Sequence, residues 1–173
     1  MKIESHVSLQ PYNTFGIEAV AEHFVAVTDT AQLPEISNYG LPLHVLVESP
    51  GAVHRAFEIA AHPRVQSISF GLMDFVSAHG GAIPADGMGI QGQFTHPLVL
   101  RAKLEIASAC HAHGKVPSHC VVTEFNDTAA MRAAAQRAAH EFGYTRMWSI
   151  HPAQIRPILE AMAPDAAAIE VAS

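Results

Sequence analysis

Two carboxylic acids close neighbouring apolar runs near the middle of the chain. Glu48 ends the run "PLHVLVE" and is followed at once by Ser-Pro-Gly, and Asp74 ends the next run, in "FGLMDF". If both runs are parallel strands, the two side chains lie at carboxyl ends, where the functional groups of α/β proteins collect. A magnesium site typically takes few oxygen ligands from the protein and leaves the other positions to water and substrate. Strand-end carboxylates are also frequent as helix caps or solvated rim residues, so the pair alone leaves both interpretations open.

Twelve histidines offer further candidates. His111 and His113 lie two apart on a predicted helix and therefore do not share a face. His119 and His151 would line the same cleft as the carboxylates if they point inward, although core and rim positions are the more frequent roles.

A glycine-rich stretch, "GGAIPADGMGIQG", follows the second run. It does not lead directly from a strand into a helix, so it is no phosphate-binding loop of the Walker or dinucleotide type. We expect it to be a mobile lid over the site. The sequence also contains no G-x-S-x-G nucleophile elbow.

The elements that would position these residues alternate regularly after Leu41. Near-continuous apolar runs are typical of buried parallel strands, and four of them alternate with helical patterns. The predicted helix ends are marked by Pro97 in a first turn, by Asn126 or Asp127 as a cap, and by Gly114 and Gly143 after last turns. The predicted strands are "PLHVLVE", "RVQSISFGLMDF", "VPSHCVV" and "YTRMWSI", and the predicted helices are "GAVHRAFEIAAH", "PLVLRAKLEIASACHAHG", "NDTAAMRAAAQRAAHEFG" and "PAQIRPILEAMA". This alternation predicts an α/β fold with a parallel sheet and right-handed crossovers.

The first forty residues follow a different pattern. His23 to Thr28 is predicted as a short strand, and Thr28 or Asp29 as the cap of a short helix.

Composition limits the class of protein. The chain has 173 residues, 49% of them hydrophobic and 15% charged, which is typical of one globular domain with a substantial core. A net charge of −6 with only ten Lys plus Arg disfavours nucleic-acid binding. No apolar run approaches the roughly 20 residues of a membrane span, and the first ten residues have no signal core. Cys110 and Cys120 fit no zinc template and are expected to be free thiols in a cytoplasmic protein.

From Leu41 to about Pro164 the chain resembles the C-terminal half of the HpcH/HpaI aldolase/citrate lyase family, especially its citrate-lyase-β-like CoA-ester lyases. The likeness rests on "VLVESPGAVHRAFEIAAHPRV", "FGLMDFVSAHGGAIP", "HPLVLRAKLEIASACHAHGKVPSH" and "GYTRMWSIHPAQIRPI". It implies that residues 41–173 form a partial (β/α) TIM-type barrel of about four βα units. In the family a Glu ending one strand and an Asp ending the next hold Mg²⁺, and these positions match Glu48 and Asp74. Glu48 is thereby also the candidate catalytic residue.

The resemblance implies cleavage of a 3-hydroxyacyl-CoA of the malyl or citramalyl type to acetyl-CoA and a 2-oxo acid, with an acyl-CoA as the small-molecule partner. The family's substrate-carboxylate arginine lies on an early strand that has no counterpart here. None of Arg55, Arg64 and Arg101 matches its motif, which leaves the activity of this chain open.

Residues 1–40 are similar instead to the N-terminus of UDP-N-acetylenolpyruvoylglucosamine reductase, through "SLQPYNTFGIEAVAEHFVAVTDTAQLPE". The flavin-binding stretch of that enzyme has no counterpart here, so no flavin is expected. Four βα units would leave two open sheet edges and a large exposed apolar face, which favours a homo-oligomer. Two alternatives to a lyase therefore stay open. One is a non-catalytic, self-associating half-barrel, and the other is a fragment of a flavin-dependent reductase.

Overall fold

The computed structural model describes residues 4–12, 18–24, 40 and 42–164, and the chain divides into two compact units, residues 1–41 and 42–173. In the first unit, β1 (Glu4–Ser8) pairs antiparallel with β2 (Val20–Phe24). The strand predicted from His23 to Thr28 thus begins earlier than expected. The predicted cap at Thr28 or Asp29 lies outside the described residues.

A parallel sheet organises the second unit and confirms the predicted α/β class. Its strands run in the order β3, β4, β5, β6, and each neighbouring pair is parallel. The strands are β3 (Leu43–Val47), β4 (Val65–Phe70), β5 (Val116–His119) and β6 (Arg146–Met147). The last is much shorter than the run "YTRMWSI" predicted.

Helices follow the strands, and all except the third, which replaces the end of the second predicted strand, lie at nearly the predicted positions. They are α1 (Pro50–His54), α2 (Ala56–Ala61), α3 (Leu72–Ser77), α4 (Pro97–Ala112), α5 (Thr128–His140) and α6 (Pro152–Met162). The helix predicted over residues 51–62 is interrupted at Arg55, which separates α1 from α2. Asp127 caps α5 by accepting a hydrogen bond from the N–H of Ala130 at 2.9 Å. No helix within the described ranges is long and apolar enough to cross a membrane.

The main core lies between one face of the sheet and the helices, where Val47, Ile68 and Phe70 pack with Ala56 and Ile106. Because side chains alternate along a strand, the neighbouring residues point to the opposite face. We call this second side the open face, and it is formed by His44, Leu46, Ser67, Ser69, Ser118, Arg146 and Trp148. Serine dominates its centre, while Leu46 and Trp148 are 47% and 50% exposed. The serines are buried, so the exposed part of this side is apolar at Leu46 and Trp148, and the large apolar face stays a prediction.

Candidate functional site

Glu48 follows β3 directly and is partly buried at the carboxyl edge of the sheet. Its neighbour across the sheet is Gly71, whose N–H donates to the carbonyl of Val47 at 2.8 Å. A Cβ at position 71 would lie 2.6 Å from the Glu48 Cβ and 2.8 Å from its Oε2. The carboxylate therefore lies over Gly71, and glycine is required there because any side chain would displace it.

Asp74 does not end a strand as predicted. β4 stops at Phe70, Gly71 forms the N-cap of α3, and Asp74 lies exposed in the first turn of that helix. It nevertheless stays at the same edge as Glu48, because α3 begins where β4 ends. Glu48 thus contacts the residue that caps the helix carrying Asp74.

Among the described residues, both carboxylates lack a protein partner. Within the described part of the chain, neither Glu48 nor Asp74 makes a hydrogen bond or an ion pair through its side chain. By contrast, Glu105, Glu141 and Glu160 each pair with an arginine. Two hard oxygen donors without competing cations fit Mg²⁺, which keeps several waters and needs one or two carboxylates from the protein.

The other predicted ligand residues do not join this pair. His119 is fully buried and His151 caps α6 by accepting a hydrogen bond from the N–H of Ala153 at 3.2 Å. Core and rim, the more frequent roles for histidine, are therefore the ones observed. Among the residues that the structure describes, no three His, Cys, Asp or Glu side chains cluster as a metal site.

A buried cluster around Lys103 was not predicted from the sequence. The Nζ atom donates to Gln93 Oε1 at 2.9 Å and to His119 Nε2 at 2.6 Å, and it lies 3.9 Å from the centre of the Phe94 ring. Burial lowers the pKa of Lys103 from 10.5 to about 8. His119 accepts from Lys103 through Nε2 and donates through Nδ1 to the Cys120 carbonyl, and burial holds the pKa of its neutral ring well below 6.5.

This cluster lies next to the stretch predicted as a mobile lid. Gln93 and Phe94 directly follow the glycine-rich stretch, and both are buried, as is Ile83 within the stretch. The thiol of Cys120 also donates to Gln93 Oε1 at 3.2 Å. The segment that follows the stretch is therefore fixed at the carboxyl end of β5, and the mobile lid over residues 80–92 stays a prediction.

The model of the HpcH/HpaI aldolase/citrate lyase family matches residues 5–152. The chain belongs to this family. A citrate lyase from Burkholderia xenovorans LB400 shares 57% identity and a TM-score of 0.75, covering 82% of this chain and 45% of that one. The L-malyl-CoA/beta-methylmalyl-CoA lyase of Rhodobacter capsulatus is 33% identical over 139 residues, 75% of this chain and 43% of the relative.

A third relative is the citrate lyase beta subunit of Mycobacterium tuberculosis, whose structure is complexed with oxaloacetate and magnesium. It is 26% identical with a TM-score of 0.63, and the match covers 80% of this chain and 59% of that chain. These likenesses confirm the predicted family and the partial-barrel class. The chain spans less than half the length of the Rhodobacter lyase. The reductase likeness of residues 1–40, and their separation from residues 41–173 as a domain, stay predictions.

Proposed function

We propose that the chain forms part of a magnesium-dependent carbon–carbon lyase that cleaves a malyl- or citramalyl-type 3-hydroxyacyl-CoA to acetyl-CoA and a 2-oxo acid. One observation carries the proposal: the Glu48 carboxylate lies over Gly71 at the carboxyl edge of the sheet, with no ion-pair partner in the described ranges. The family supports it, as does the magnesium and oxaloacetate complex of the M. tuberculosis subunit.

Glu48 and Asp74 would hold the ion, and Gly71 leaves the room that Glu48 needs. When bound, Mg²⁺ would supply Lewis-acid stabilisation of the charge that moves during C–C cleavage. The leaving carbanion is a thioester enolate, so stabilisation of negative charge is the main demand on the site.

Titration with Mg²⁺ in a calorimeter tests the ligands without any substrate. We expect Glu48→Gln and Asp74→Asn each to weaken binding by roughly tenfold or more, since each removes a charge-assisted contact. Glu58→Gln, at an exposed position of α2, is the matched control and should bind as the parent does. Equal affinity in all four proteins would exclude this pair as the ligand set.

An assay of acetyl-CoA release from malyl-CoA and citramalyl-CoA with added Mg²⁺ tests the reaction. We expect turnover well below roughly 1 per second, because substrate positioning can supply about 7–11 kcal/mol of a barrier and the family's clamping arginine has no counterpart here. Glu48→Gln should remove what activity there is. Enzyme-like turnover by the monomer would mean that another residue replaces the clamp.

A second candidate is a non-catalytic half-barrel that associates with itself. The sheet of the second unit ends on β3 and β6, each of which pairs on one side only. Two copies would then supply eight strands, and the proposed assembly is a homo-oligomer. Cys110 and Cys120 are both free and buried, which supports a cytoplasmic location for either candidate.

A further inference from the structure

Residues 85–92, which we call the 85–92 loop, form a compact unit within the glycine-rich stretch. The loop begins with a 3₁₀ turn, Ala85–Met88. A Cβ at Gly92 would overlap the carbonyl group of Asp86 and lie 2.7 Å from the Gly87 Cα, so the two ends of the loop are in contact. Compact surface loops whose ends meet in this way are frequently functional.

The 85–92 loop spans the two hydrophobic clusters of the second unit. Met88 packs against the main core, whereas Ile90 packs against a second cluster that includes Met131 of α5 and Ile158 of α6. Both loop side chains are only partly buried. Their packing therefore holds the loop less firmly than full burial would.

A carboxylate from the segment that follows β5 holds the middle of the loop. Glu124 Oε1 accepts a hydrogen bond from the Ile90 N–H at 3.1 Å, and Glu124 Oε2 accepts one from the Thr123 hydroxyl at 3.1 Å. Within the described residues, no other side-chain hydrogen bond joins the 85–92 loop to a residue more than four positions away. Because its acceptor is charged, this hydrogen bond is stronger than one between neutral groups.

The same loop contacts the helix that carries Asp74. The turn Ala85–Met88 lies against α3, and α3 begins at Gly71, over which the Glu48 carboxylate lies. A helix of six residues is too short to be stable by its own hydrogen bonds, so its position depends on what packs against it. A line of direct contacts thus runs from Glu124 through the loop to the helix of the proposed metal ligand.

We infer that Glu124 is a positioning residue for the proposed metal site: its carboxylate holds the 85–92 loop, and the loop holds α3 so that Asp74 and Glu48 reach the same ion. The inference rests on the proposed function and adds to it a residue that touches neither metal nor substrate. The role requires an acceptor oxygen and not a negative charge, so glutamine should replace Glu124 and alanine should not.

Amide hydrogen exchange measured by NMR in EDTA tests this role without any metal. In Glu124→Ala the Ile90 amide loses its acceptor and should exchange roughly tenfold faster. The Phe75 amide, which donates to the Gly71 carbonyl across the first turn of α3, should also exchange faster because the helix loses its support. Glu124→Gln, which keeps the acceptor, should match the parent, as should the control Glu58→Ala at an exposed position of α2.

Calorimetry with Mg²⁺ connects the loop to the site. Glu124→Ala should bind the ion roughly threefold to tenfold more weakly, whereas Glu124→Gln should keep the parental affinity. In an Asp74→Asn background, Glu124→Ala should have no further effect, because the ligand that it positions is already lost. Urea unfolding of each variant establishes that the proteins are folded under the conditions of the titration.

Four results would separate the possible failures. Unchanged exchange at Ile90 in Glu124→Ala would overturn the hold on the loop, and faster exchange at Ile90 with unchanged exchange at Phe75 would overturn the link to α3. Equal weakening of Mg²⁺ binding by Glu124→Gln and Glu124→Ala would overturn the positioning role, because the charge itself would then be what matters. A parent chain that binds no Mg²⁺ would refute the proposed function, and the exchange rates would then decide separately whether Glu124 holds α3.

Discussion

At the scale of single residues, the candidate metal site depends on Gly71 having no side chain. Glu48 approaches Gly71 so closely that its Cβ and carboxylate occupy the space of a Cβ at position 71. The backbone of Gly71 has φ −91°, so the constraint is space and not backbone conformation. A single methyl group at this position therefore tests whether the placement of Glu48 matters.

We predict that Gly71→Ala weakens Mg²⁺ binding and costs about 1–3 kcal/mol of unfolding free energy, because the added methyl group overlaps the Glu48 Cβ, which the strand holds in place. Calorimetry and urea unfolding measure the two effects. Gly51→Ala is the control, since a Cβ there meets nothing within 4 Å and alanine favours the helix by about 0.5–1 kcal/mol. Unchanged metal binding in Gly71→Ala would separate Glu48 from the ion.

Lys103 gives a second prediction at this scale. The folded chain holds its pKa at about 8 and the unfolded chain at 10.5, so between these values the unfolded state binds more protons. Stability due to this residue should therefore rise by about 3 kcal/mol as the pH increases from 7.5 to 10.5. Urea unfolding across this range measures the change.

The matched reference is Lys103→Met, which keeps an unbranched side chain of similar length and removes the titrating group. Burial raises the pKa of Cys110 from 9.0 to about 11, and the pKa of Cys120 is raised as well, so both thiols oppose the effect of the lysine. The difference between parent and variant reports the lysine together with its coupling to the Cys120 thiol. A difference that stays constant with pH would show that Lys103 is not buried as a titrating group.

At the scale of elements, the segment that follows the glycine-rich stretch is held by aromatic packing as well as by Gln93. The Phe94 ring stacks on His119 at 5.4 Å and also faces the Arg137 guanidinium at 4.6 Å. We predict that Phe94→Ala costs about 3–5 kcal/mol and opens the stretch to limited proteolysis. Phe125→Ala, at a position 43% exposed, should cost at most about 1 kcal/mol and leave the cleavage pattern unchanged. Rapid cleavage within residues 80–92 of the parent chain would support the predicted mobile lid.

The start of α5 and the end of α4 could be predicted because each carries its own signal. Asp127 caps α5 with its side chain, and Gly114 ends α4 in the left-handed region at φ +62°. Such signals depend on local geometry alone, which a sequence displays directly. Glu48 could be predicted for a similar reason, since it stands between an apolar run and a Ser-Pro-Gly turn.

The change from β4 to α3 could not be predicted in this way. Leu72, Phe75 and Val76 of the helix are as buried as the strand residues before them, so the apolar run continues across the boundary. Over so few residues the strand and helix periods cannot be told apart. Asp74 was consequently assigned to the strand, although it lies in the first turn of α3.

Lys103 was missed for another reason, because lysine normally lies at the surface. The sequence did contain a signal: Val99, Ile106 and Cys110 share its face of α4 at helical spacing, and all are buried. A lysine within an apolar stripe requires acceptors from elsewhere, and these come from Gln93 and His119, which only the fold brings together.

At the scale of the whole molecule, the boundary of the family match differs from the boundary between the two compact units. The family match begins at residue 5, whereas the compact units separate after residue 41. The second unit has its own sheet and its own core, so it is expected to fold without the first. We predict that deletion of residues 1–40 changes the free energy of unfolding by less than about 1 kcal/mol in urea titrations. A loss of several kcal/mol would show that the segment packs against the second unit.

The open face and the two sheet edges give the last prediction. Among the described residues, β3 and β6 each pair on one side only, and unpaired sheet edges tend to pair with other strands. Leu46 is 47% exposed on the open face, and contact between two copies across this face would remove it from water. We therefore predict that the chain forms dimers and that Leu46→Lys shifts it toward monomers, because a buried lysine without a partner is costly. Sedimentation velocity over a range of concentrations measures the shift.

Leu104→Lys is the control: Leu104 is 50% exposed but lies on α4, which packs against the other face, so this variant should remain dimeric. Monomers of the parent chain at every concentration, or equal dissociation of both variants, would show that the open face does not join two copies.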